Sequence, residues 1–91
     1  MAQLICDIAP GLRDSEKTVA VRDVFGRRQF LRVEQGFLAA AGGQCYLPVG
    51  VVGIDDGQKL ALVELPHVAD SGVSRLWVRL SELRELNGTV A

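Results

Sequence analysis

The chain has 91 residues, of which 48% are hydrophobic and 23% charged, and a formal net charge of −1. That length and composition fit one globular domain with a modest core, and they exclude a disordered chain. A near-neutral balance removes any global electrostatic pull toward nucleic acid or anionic membrane, so only a local patch could supply one.

In chain order, residues 3–8 are a short apolar run, expected as an edge strand that closes a sheet before Pro10-Gly11 turns the chain into polar residues 13–17. Residues 18–22 alternate, with Val19 and Val21 against Thr18, Ala20 and Arg22, and residues 29–33 set Leu31 and Val33 against Phe30 and Arg32. The glycine-ended stretch Asp23-Val24-Phe25-Gly26-Arg27 joins them into a first hairpin. Gln35-Gly36 breaks the second of these strands. Residues 37–41 are read as a short third strand, although their three alanines favour helix, because five residues cannot sustain an isolated helix. Gly42-Gly43 suits a two-residue type I′ or II′ turn, with a helix C-cap as the alternative.

Residues 44–66, QCYLPVGVVGIDDGQKLALVELP, read as the central hairpin. β-branched residues crowd both arms, which suits a pleated buried surface, and Asp55-Asp56-Gly57-Gln58 supplies the turn with Gly57 free to take positive φ. Pro48, Gly50 and Gly53 predict a bent or bulged first arm that can belong to two sheets. Residues 66–72 have turn chemistry and no periodicity. Leu76, Val78 and Leu80 then follow strand spacing, and Ser81 reads as the N-cap of one or two helical turns ended by Asn87-Gly88.

The sum is an all-β, mainly antiparallel domain spanning 1–91: a small barrel of about six or seven short strands with a short helical turn near the C-terminus. In length and strand succession it resembles an SH3-like or related small β-barrel. That resemblance is architectural, and no residue motif extends it to function.

Several residue sets suggest chemistry. His67, Asp70 and Ser71 are the residue types of a hydrolase triad, but three neighbours on one loop seldom reach the required geometry, and turn chemistry explains Asp70-Ser71-Gly72 more simply. Arg22, Arg27, Arg28 and Arg32 cluster on the first hairpin and form the best candidate for contacting a nucleic-acid backbone, with only Phe25 and Phe30 nearby for stacking. Glu64 reads as the solvent-facing residue of its strand, or alternatively as a buried carboxylate paired with Arg75 or Arg79 across the sheet. Cys6 and Cys45 are read as reduced core residues. With His67 they fall short of a zinc ligand set, and the glycines lack dinucleotide or P-loop spacing, so neither metal nor cofactor is expected.

The apolar runs hold more residues than one inner face requires, which places Tyr46, Val52, Leu62 and Trp77 on an outer face as candidate partner-binding residues. The leading expectation is therefore a non-catalytic interaction module, docking on a protein or on a second copy of itself. No run approaches the ~20 apolar residues of a membrane span, and the N-terminus lacks a basic, signal-like start, so a cytoplasmic protein is expected.

Overall fold

The computed structural model describes residues 2–10 and 15–84. Eight strands are present among them: β1 (Ala2–Pro10), β2 (Glu16–Arg22), β3 (Arg28–Glu34), β4 (Ala39–Ala41), β5 (Gln44–Asp55), β6 (Leu60–Glu64), β7 (Arg75–Arg79) and β8 (Leu83–Arg84). They form one antiparallel sheet in the order β3-β2-β1-β5-β6-β7, with β4 on β5 and β8 on β1, curled into a half-barrel. Alternation sets the inner face: Val19 and Val21, Leu31 and Val33, Leu47 and Val49, Ala61 and Val63, and Leu76 and Val78 are the buried residues of their strands.

Two strands make the half-barrel continuous. β1 pairs with β5 through residues 2–6 and with β2 through residues 7–10, while Gln3 and Leu4 also meet β8. It is therefore a central strand and not the edge strand expected from the sequence, because its apolar run is long enough to join both halves. β5 is bent as its Pro48, Gly50 and Gly53 predict. Its first half pairs with β1 and β4, its second with β6, and a β-bulge falls between Val51 and Gly53.

The turns are a mixed outcome. Gly42 and Gly43 have φ of +58° and +81°, both positive, as a type I′ turn requires. In the β5–β6 turn the positive φ falls on Lys59, at 60°, and not on Gly57. The reason is local: Asp55 Oδ1 accepts the Gln58 N–H at 3.1 Å and closes the turn early, which displaces the left-handed residue to its end.

Two further expectations are corrected. The strand expected over 37–41 begins only at Ala39, because residues 35–37 form a 3-10 turn. The helical turns expected from Ser81 onward are a single 3-10 turn, Leu80–Glu82, followed by strand β8. The N-cap position falls on Arg79 without a side-chain cap, and pairing with β1 buries Leu83 beside Leu4, which further helix would forgo. Asn87-Gly88 lies outside the described residues, as does the Gly11 end of the expected Pro10-Gly11 turn.

The end strands β3 and β7 are joined indirectly. Val24 N–H donates to Trp77 O at 2.8 Å, and Asp70 N–H donates to Phe30 O at 2.8 Å. Residues 65–74 fold against themselves through Leu65 N–H to Ser74 O and Ala69 N–H to Val73 O, burying Leu65 and Ala69. The loop and the β2–β3 turn thus span the seam of the half-barrel.

Candidate partner-docking site

The residue that organises the seam is Asp23, only 7% exposed. Its Oδ1 accepts the backbone N–H groups of Phe25 and Arg27, each at 2.9 Å, and its Oδ2 lies 3.3 Å from Arg27 Nε. A buried carboxylate that accepts several donors fixes the turn around it. That turn carries Phe25, which is 74% exposed and has the Arg27 guanidinium 5.3 Å from its ring centre.

Beside the turn stands Trp77. Its neighbours Leu76 and Val78 are buried, so alternation directs Trp77 outward, where it remains 37% exposed. Leu62 is its direct cross-strand partner on β6, and Gly53 faces Leu62 in turn from β5, next to the exposed Val52 of the bulge. An apolar strip therefore crosses β5, β6 and β7 and continues over the Val24–Trp77 hydrogen bond to Phe25.

Two depressions flank the Phe25–Trp77 pair. One is a cleft of ≈ 660 Å³ lined by Phe25, Trp77, Arg27, Arg28, Gln29 and Arg75 among others. The second, of ≈ 330 Å³, includes Val24, Asp55, Gln58 and Leu60.

Of the four residues expected to bind a partner, Val52, Leu62 and Trp77 are brought together. Tyr46 is not. It lies six residues before Val52 on β5, roughly 20 Å along the strand, half-buried, with the Arg84 guanidinium 3.9 Å from its ring centre. Phe25 completes the strip, although in the sequence it stands out only as an aromatic neighbour of the arginines. The available signal was a large apolar side chain within a turn, where small polar residues usually stand.

The arginines of the first hairpin are largely matched by carboxylates. Arg27 is held by Asp23, and Arg32 meets Asp70 with two hydrogen bonds at 2.8 and 3.3 Å. Arg28 lies 3.8 Å from Asp7 and 5.3 Å from the centre of the Phe30 ring. Arg22, opposite Arg28 across the hairpin, has no carboxylate partner among the described residues.

Two of the three loop residues read as a triad are engaged elsewhere. Asp70 accepts from Arg32, the Ser71 hydroxyl donates to Gln29 Oε1 at 2.6 Å, and His67 is exposed. Serine and carboxylate are thereby seam fasteners. Glu64 is exposed and faces Arg75 across the β6–β7 ladder, with 3.6 Å between the charged groups. No group of three or more potential metal ligands occurs among the described residues.

Cys6 and Cys45, 39 residues apart in sequence, are direct partners across β1 and β5, and both thiols are free. Burial first, then the neighbouring Cys45 and Asp7, pushes the Cys6 thiol up to about 12 from an ordinary 9.0. No helix among the described residues is long and apolar enough to cross a membrane. The chain matches no family model, no curated protein and no solved structure.

Proposed function

We propose that this half-barrel is a non-catalytic module that docks on a protein partner through the strip of Val52, Leu62, Trp77 and Phe25. The observation that carries the reading is Phe25, the most exposed large apolar side chain described, on a turn fastened by a buried carboxylate. With its backbone pinned by Asp23, Phe25 leaves chiefly its two side-chain torsions to be ordered when a partner covers it, and buried aromatics dominate interface energetics. Trp77 beside it supplies a second anchor of the same kind.

Against nucleic acid as the partner stands the pairing of Arg27, Arg28 and Arg32 with carboxylates, which leaves no continuous positive track for a phosphate backbone. The test is a complex reconstituted from purified components after capture with the folded chain. Phe25→Ser and Trp77→Ser should each weaken it by about tenfold or more, while Arg22→Ser leaves it unchanged. A complex indifferent to both aromatic changes removes this face as the docking surface.

A further inference from the structure

We propose that Cys6 and Cys45 form a dithiol site that hydrogen peroxide oxidises to a reversible disulfide, stapling β1 to β5. The two are direct antiparallel partners, and theirs is the last pair of the β1–β5 register. Directly opposed residues project to one face with Cα atoms about 4.5–5.5 Å apart, inside the about 4.4–6.8 Å that a disulfide spans. Both side chains turn inward: Cys6 shares its face with Ala2 and Leu4, and Cys45 shares its own with Leu47 and Val49, all in one apolar cluster. The Cys6 thiol lies over its partner, donating to Cys45 O at 3.7 Å. Both sulfurs are free, so the sheet holds a reduced pair in bridging register.

Access to the two sulfurs is unequal. Cys6 is buried, whereas Cys45 is half-buried and its other cross-strand neighbour, Ala40 on β4, is small and exposed. A reagent therefore reaches Cys45 first. The Cys45 thiolate attacks the peroxide, the O–O bond breaks, and Cys45 becomes a sulfenic acid while the leaving hydroxide takes the proton that Cys45 released. The Cys6 sulfur then attacks the Cys45 sulfur, the S–O bond breaks, and the departing hydroxide leaves as water with the Cys6 proton. Two thiols lose two electrons and the peroxide gains them. Cys6 needs no contact with solvent for its step, because its target is the adjacent sulfur.

The bond falls where β1 changes partners, since Asp7 is the first β1 residue paired with β2. It fixes that fork and encloses residues 7–44, with β2, β3 and β4, in one covalent loop. Closing so long a loop removes many conformations from the unfolded chain and few from the folded one.

The experiment treats the full chain with hydrogen peroxide at neutral pH, both native and in urea, and reads intact mass, free thiols and non-reducing electrophoresis. The native monomer should lose the mass of two hydrogens and both free thiols, faster than the unfolded chain, and dithiothreitol should restore both. Cys6→Ser should stop at a Cys45 sulfenic acid that dimedone traps, and Cys45→Ser should leave Cys6 reduced under the same treatment. The oxidised wild type should unfold at higher urea, its unfolding equilibrium constant lower by about tenfold or more. If a variant fails to fold, the wild-type masses and thiol counts still decide. Persistent free thiols, sulfinic acid on Cys45 beside a free Cys6, a disulfide-linked dimer, or bridging no faster in the native chain than in urea overturns the proposal. So does an oxidised chain no more stable than the reduced one.

Discussion

At Asp23, a carboxylate almost wholly removed from solvent accepts the N–H groups of Phe25 and Arg27, and the exposed aromatic follows from that buried acid. Replacing it by alanine leaves two partly buried donors without their acceptor, an expected loss of about 1–3 kcal/mol. Asparagine keeps the acceptor oxygen and should recover much of it; urea unfolding of the two variants at constant m checks the difference. Cys6 gives a prediction in pH. Its raised pKa keeps the proton on in the folded state while the unfolded chain ionises near 9, so the stability it contributes is complete below pH 9 and is lost as the pH rises toward 12. The difference in stability between wild type and Cys6→Ala should therefore narrow across that window. In the folded protein near pH 8, iodoacetamide should label the half-buried Cys45 well before Cys6; equal labelling rates would contradict the burial of Cys6.

Among the elements, β5 shows what periodicity can and cannot reveal. Its bend was legible because proline and glycines interrupt an otherwise apolar strand, and its division between two partner sets follows from that bend. Val52, Leu62 and Trp77 were legible as outward residues because alternation survives on either side of the bulge. The central place of β1 was not legible, since a nine-residue strand looks the same whether one or both of its edges are paired. The C-terminal strand was also hidden: Ser81-Glu82 has good helix-starting chemistry locally, and only the distant Leu4 makes extended Leu83 the better solution. Phe25 belongs to the same class, because exposure in a turn is decided by Asp23 and Trp77 and not by any repeat. Leu47, fully buried where β1 crosses β5, tests the element itself. Leu47→Ala should cost about 2–5 kcal/mol by denaturant unfolding, against under 1 kcal/mol for exposed Arg22→Ala.

For the whole molecule, the decisive feature is a sheet whose end strands do not pair with one another. Residues 65–74 and the β2–β3 turn bridge the gap with single backbone hydrogen bonds, a bidentate Arg32–Asp70 contact and the Ser71–Gln29 hydrogen bond. The seam therefore leaves a cleft beside Trp77 in place of a closed wall. Hydrogen exchange should find the Val24 and Asp70 amides protected but opening before the amides of β1 and β5, since few contacts hold them. The most direct measurement is acrylamide quenching of Trp77 emission, in the free chain and in the reconstituted complex with its protein partner. Ready quenching is expected in the free chain, where Trp77 is 37% exposed, and protection in the complex. A tryptophan already shielded in the free chain, or one equally quenched in the complex, would contradict the docking face.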